Sequence, residues 1–319
     1  MTEPITQVVN VAPPKPIRAV PLRHPWRNFF AVALILGIVA FILDAAQREA
    51  YDWAAFGTYL FDPRVMTGAV NTLLLTFLSM ALAIVVGIII AIMRETDNPV
   101  LRGISFGFLW LFRGTPVYVQ LVFWGLFTTI YQKVNVGVPF TEPWLTLELA
   151  DLIPVFWIAV VGLGLNEAAY MAEIVRAGLL SVDRGQTEAA SALGMSWWLQ
   201  MRKVVIPQAM RVIIPPTGNE LISMLKTTSL VTAVPYNWDL YTRARDISAA
   251  TLNPIPLLLV ASVWYLVFTS IMMFGQSRLE RYFSRGQNAQ IARKRKQKSA
   301  GGVDNPAGSE SPLMKGGRA

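Results

Sequence analysis

The chain has 319 residues and a formal net charge of +8, yet only 15% of it is charged while 54% is hydrophobic. A soluble domain carries about 25% charged residues, so the composition excludes one and points to a protein that crosses a membrane several times. With no cysteine and a single histidine, His24, ahead of the first apolar run, disulfides, thiolate metal sites, a Cys nucleophile and His-based catalysis in the membrane are excluded, and no cofactor is expected.

A membrane-crossing helix needs about 20 apolar residues, and that length sets the predicted elements. Residues 1–26 are polar and proline-rich and predict a disordered cytoplasmic arm. Residues 27–64 predict an N-terminal membrane helix, over about 28 to 46, followed by an extracytoplasmic linker. That helix is not a signal peptide, because its apolar run begins only at Phe29 and cleavage signals after it are weak. A second span covers 65 to 93, with Asn71 and Thr72 as candidates for lining a solute path.

In Arg113-Gly114-Thr115-Pro116, Thr115 suits a helix N-cap and Pro116 the first helical position. The third span is therefore expected to run from Pro116 to Tyr131 alone, with 104 to 112 as an interfacial elbow. A fourth span over 155 to 178 carries Asn166, Glu167, Tyr170 and Glu173. The fifth, over 212 to 233, opens with Pro215-Pro216 and carries Glu220 and Lys226. The sixth covers 254 to 276, and residues 284–319 predict a disordered basic cytoplasmic tail. The fold class is all-α and polytopic, with about six spans.

Of the 28 Lys and Arg, 22 fall on the side that holds both ends and five on the other, which predicts cytoplasmic termini. Cations placed at span ends and in the tail face membrane lipid, and no nucleic-acid partner is expected. Charged groups in hydrocarbon are functional candidates by default. Asn166, Tyr170 and Glu173 share one helix face, and Glu167 sits mid-span as a candidate for a solute ammonium group or for pairing with Lys226. Lys226 is a weaker candidate for a solute carboxylate. Glu173 and Arg176, three residues apart, are expected to form a structural ion pair.

Residues 181 to 207 carry the densest local signal. An Ala-rich helix is expected to begin at Gln186 or Thr187 and to stop at Gly194. Ser196 can cap a second helix that ends before Pro207. Glu188-Ala189-Ala190, then Gly194, then Val204, Ile206 and Pro207 resemble the EAA loop of bacterial ATP-binding-cassette (ABC) importer permeases. The blocks from Phe112 to Gln120, from Asn166 to Gly178 and from Leu225 to Leu230 narrow the resemblance to the polar amino acid permeases, the group with the histidine and glutamine permeases.

The resemblance covers about 65 to 283 and implies a five-helix type I permease core, to which the first helix is an addition. It further implies a bacterial inner-membrane importer of a polar amino acid with two permease subunits, identical or different. Separate ATPase subunits would bind the loop through Glu188, Ala189, Ala190, Gly194 and Pro207, and an extracytoplasmic amino acid-binding protein would deliver the solute. The chain has no phosphate-binding Gly-rich loop of its own. It is therefore expected to be a transport subunit, not an enzyme. A self-powered secondary carrier or channel is the alternative. Three positions depart from the family pattern: Asp183 in place of proline, Thr227 in place of an acidic residue, and Glu167 in place of a small or hydroxyl residue.

Overall fold

A computed structural model describes residues 25–136 and 143–300, with side chains described as far as 283. The expected N-terminal arm lies almost wholly outside the described residues, as does the end of the tail. Two compact units divide the chain after Tyr51.

The first unit holds α1 (Pro25–Gln47), whose side chains are exposed along nearly its whole length, as expected of a helix solvated by lipid. Its 22-residue apolar stretch is long enough to cross a bilayer.

The second unit begins with α2 (Trp53–Leu60), which Asp52 caps by accepting from the Ala55 amide at 3.0 Å. Then come α3 (Pro63–Glu95), α4 (Pro99–Gly114), α5 (Val117–Gly125) and α6 (Phe127–Ile130). A hairpin of β1 (Lys133–Val136) and β2 (Leu145–Glu148) pairs antiparallel, with Lys133 opposite Glu148. It is followed by α7 (Leu149–Leu152), α8 (Val155–Leu180), α9 (Arg184–Ala192), α10 (Trp197–Gln200), α11 (Ile206–Thr227), α12 (Leu240–Thr251) and α13 (Pro254–Ala300).

The core is a bundle with α8 at its centre, packed along α3. Gly87 of α3 lets the two backbones close: a Cβ there would lie 2.7 Å from the Met171 Cβ and 3.0 Å from the Ala172 nitrogen. Leu75, Leu121, Leu163, Met224 and Val231 join α3, α5, α8 and the α11 end in one buried cluster. A second cluster, with Val65, Leu240, Ile247 and Leu257, seats α12 between α3 and α13. Two polar contacts to backbone tie helices together: Ser105 donates to the Ile90 carbonyl at 3.1 Å, and the Trp264 indole to the Leu60 carbonyl at 2.8 Å.

The fold is helical and polytopic, as expected, with differences in detail. Among the described residues four helices are long and apolar enough to cross a membrane, or five if the bent pair α4–α5 counts as one span. The predicted third span does not start afresh at Pro116. Helix α4 runs to Gly114, the chain turns by 102°, and α5 follows for nine residues. Thr115 does not cap α5; its hydroxyl turns back to donate to the Leu111 carbonyl at 2.8 Å. A threonine at a junction can serve either helix, and here the free carbonyls of α4 take it.

The predicted fifth span starts earlier, at Ile206, and Pro215 and Pro216 lie inside it. It is long enough to cross but too polar to count by composition, because Arg211, Asn219, Glu220 and Lys226 fall within it. Pro207 does not end a helix either. A π turn over Met201–Val205 precedes it, and the Ile206 amide reaches back to the Met201 carbonyl. This wider ring shifts the register so that Pro207 falls in the first turn of α11, where its missing N–H costs little. Helix α13 continues to Ala300, past the expected start of the disordered tail, through residues rich in the helix formers Gln, Ala, Lys and Arg.

Candidate functional site

Three chain segments enclose a cavity of about 490 Å³, within the range of small-ligand sites. Helix α8 contributes Asn166, Glu167 and Tyr170; the α4–α5 turn contributes Arg113 to Val117; α11 contributes Glu220, Ser223 and Thr227. Glu167 lies twelve residues past Val155, about 18 Å along the axis at 1.5 Å per residue, and so near the middle of the 26-residue helix.

The sharp α4–α5 turn is what opens this space, and buried amides hold it. Gln120, one turn into α5, donates through Nε2 to the carbonyls of Phe112 at 3.0 Å and Thr115 at 3.1 Å, and to the Thr115 hydroxyl at 2.7 Å. Its Oε1 accepts from Asn166 Nδ2 at 3.0 Å, and the same Asn166 nitrogen reaches the Phe112 carbonyl at 3.2 Å. The last carbonyls of α4, which have no partners within the helix, are thus met by side chains. Asn166 lines the cavity, but its amide group is committed to this clamp.

Replacing Gln120 by leucine should destabilise the turn by about 1–3 kcal/mol, the usual cost of stranding buried polar groups. A lowered unfolding midpoint of the detergent-purified protein would register it, and an unchanged midpoint would deny the clamp its role.

Glu167 is only 8% exposed, and its Oε1 has no hydrogen-bond partner. Glu220 lies against it across the cavity. Two carboxyl groups therefore meet in a partly enclosed space with accepting capacity to spare. Tyr170 stands at the wall, 39% exposed, with the Arg113 guanidinium carbon 5.5 Å from its ring centre.

The structure separates the other predicted pathway residues from this group. Lys226 is exposed and does not line the cavity, so it does not pair with Glu167. The lining positions 220, 223, 224 and 227 follow i, i+3, i+4, i+7, and position 226 falls on another face. That spacing was the signal that could have found Glu220, Ser223 and Thr227. Thr72 is fully buried, and its hydroxyl accepts from the Leu240 amide at 2.9 Å, tying α3 to α12. Asn71 is half-buried on α3, away from the cavity lining.

The expected Glu173–Arg176 pair is replaced by crosswise pairs. Glu173 accepts from Arg94 and, at 3.2 Å, from Arg113, while Arg176 donates to Glu95 at 2.8 Å. Arg94 and Arg113 stand in the last turns of α3 and α4, where cations suit the helix dipole. Both reach α8 where the three helices converge. At roughly a third exposed, each such pair contributes on the order of 0–1 kcal/mol.

Beyond α8 the loop at 181 to 207 folds as two short helices around a turn. Asp183 caps α9 by accepting from the Gly185 amide at 2.7 Å, so the helix starts at Arg184, before the expected Gln186 or Thr187. Gly194 ends the helix with φ of +72°, the left-handed conformation that glycine adopts without strain. Its amide bonds to the Ser191 carbonyl at 2.9 Å, and the Met195 amide to the Ala190 carbonyl at 3.1 Å, the paired bonds of a Schellman stop. Ala190 is buried, whereas Glu188, Ala189 and Gly194 are exposed. Leu193 at 81% exposed, with Trp197 and Trp198 beside it, makes an apolar protrusion on this loop.

Residues 83–285 match the family described as the binding-protein-dependent transport system inner membrane component. The chain is 55% identical over 279 residues to the arginine transport system permease protein ArgU of Corynebacterium glutamicum, covering 87% of this chain and 86% of that protein. It is 32% identical to the glutamine transport system permease protein GlnP of Escherichia coli, over 72% of this chain and 97% of the relative. A crystal structure of an amino acid ABC transporter with histidines aligns with a TM-score of 0.58 at 33% identity, over 71% of this chain and 97% of the other. An apolar helical bundle, an internal polar cavity and these matches agree: the chain belongs to the family of binding-protein-dependent transport system inner membrane components, and is a permease subunit of an ABC importer, not an enzyme.

Proposed function

We propose that this permease carries a cationic amino acid, arginine or a close analogue, through the cavity at Glu167 and Glu220. The meeting of these two carboxyl groups carries the reading. A buried charge without a partner costs several kcal/mol, so a site that gathers two carboxyl groups is complementary to a solute that brings cations. Arginine presents an ammonium and a guanidinium, one for each carboxylate. The name of the C. glutamicum relative, an arginine transport permease, supports the same class of solute. Thr227 and Ser223 add hydroxyl groups on the α11 side, and Tyr170 adds a ring on which a planar guanidinium can stack.

Energy comes from ATPase subunits of the importer, and we assign their docking to the loop, with Glu188, Ala189, Ala190 and Gly194 on or under its protruding helix and Pro207 at its exit. The excess of Lys and Arg on one side supports placing this loop and both termini in the cytoplasm. A second permease subunit completes the path. ATP-driven approach of the ATPases then biases the bundle between inward- and outward-open states, because the partner binds one state better than the other.

Reconstituting the permease with its ATPase and binding protein in proteoliposomes, and supplying labelled amino acids singly, tests the reading. ATP-dependent uptake of arginine at least tenfold above that of glutamine is expected. Equal uptake of the two would remove the cationic-solute assignment.

A further inference from the structure

Resting on the cavity assignment above, we propose that Arg113 is the residue that recognises the α-carboxylate of the solute, and that it does so by leaving Glu173. The lining carries two carboxyl groups, Glu167 and Glu220, and Arg113 is its sole Lys or Arg among the described residues. A free basic amino acid carries two cations and one carboxylate. The cavity holds the complementary set of side chains, two acids and one base. An amine lacking the carboxylate would leave Arg113 on Glu173 and forgo that pairing.

Geometry makes Arg113 available for this role. Its side chain is 45% exposed, and one nitrogen sits 3.2 Å from Glu173 Oε1, a single contact that leaves the rest of its donor fork open. Glu173 is also bonded by Arg94, so the departure of Arg113 does not strand a charge. The Tyr170 ring, itself part of the wall, lies 5.5 Å from the guanidinium and offers it a face to pivot on. A planar fork matches a carboxylate through two parallel hydrogen bonds, which an ammonium group cannot reproduce. Occupancy of the cavity would thereby weaken one tie between α4 and α8 at the end nearest the loop.

The test is equilibrium binding of labelled L-arginine and of labelled agmatine, which is arginine without its carboxylate, to the purified permease–ATPase complex without the binding protein. The intact complex should bind arginine about tenfold or more tightly than agmatine, the order of effect of one added hydrogen bond between charged groups. In Arg113→Gln arginine should weaken to the level of agmatine, while agmatine stays within about twofold of its original value. Arg113→Lys should restore part of the preference, since it keeps the charge and loses the fork. Glu167→Gln should weaken both ligands together.

If Arg113→Gln keeps the preference, or weakens both ligands equally, the carboxylate role is overturned while the cavity assignment stands on the Glu167→Gln result. Equal binding of the two ligands by the intact complex overturns it without any variant. If Glu167→Gln leaves both ligands unaffected, the cavity assignment itself fails and this inference with it.

Discussion

Replacing Gly194 by aspartate, or Glu188 by lysine, is expected to reduce ATP-driven uptake more than tenfold while the protein still inserts into the membrane. Gly194 holds φ of +72° with nothing within 4 Å of where a Cβ would stand. The penalty is therefore conformational, on the order of 1–2 kcal/mol for an L-residue in the left-handed region, and no clash adds to it. That strain falls on the turn that orients α9 against α10, and so on the exposed face that docking would use. Glu188→Lys leaves the fold alone and reverses a charge on that same face.

The informative measurement pairs ATP hydrolysis with uptake in the same vesicles. A coupling loop predicts hydrolysis that no longer tracks transport, or that is lost because the ATPase no longer docks. Gly194→Ala should fall between wild type and Gly194→Asp, since it shares the strain without the charge. Normal uptake in both severe variants would falsify the assignment of the loop.

The second large effect is expected at Glu167. Glu167→Gln keeps the shape of the side chain and removes, at a nearly buried position, the carboxyl group that would answer a solute cation. Truncating one partner of a buried, hydrogen-bonded charge pair costs about 2–5 kcal/mol. At about 1.4 kcal/mol per tenfold, that is a loss of roughly 30-fold to several-thousand-fold in affinity for a cationic solute. Glu220→Gln should act in the same direction, and more weakly, because Glu220 is only half-buried. Transport assays over a range of arginine concentrations separate a binding defect from a failure of coupling: the former raises the concentration needed for half-maximal uptake. Unaltered concentration dependence in both glutamine variants would move the solute path elsewhere in the bundle.

These two regions were legible in the sequence to different degrees. The loop is a local object. Its helix and its glycine stop depend on residues within a few positions of each other, so the stop at Gly194 could be read directly. The Asp183 cap was missed, which misplaced the α9 start by two or three residues, and Ser196 precedes α10 without a side-chain cap bond. The cavity is not local. Asn166, Glu167 and Tyr170 were visible as one helix face, but their opposite wall comes from α11 and from the α4–α5 turn, 40 or more residues away in the chain.

The ion pairs failed for a related reason. Glu173 and Arg176 are well spaced for each other on an isolated helix. Packing then brought Arg94, Arg113 and Glu95 from other helices to the same level, and those groups took the partners. Thr72 likewise looked like a pathway residue while α3 was considered by itself; the arrival of α12 made it a buried acceptor for the Leu240 amide.

Sequence alone determined that the chain is a helical membrane protein, where most of its long apolar helices run, and which loop resembles an ATPase contact. Hydrophobic length, charge placement and turn chemistry act within a helix or at its ends, and need no knowledge of the neighbours. Only the tertiary structure decided that Pro207 starts a helix after a π turn, that α4 and α5 meet at a right-angled bend, and which charged residues face one another. Those outcomes depend on which helix faces pack together, and a polar side chain finds its partner only after the backbones have been brought side by side.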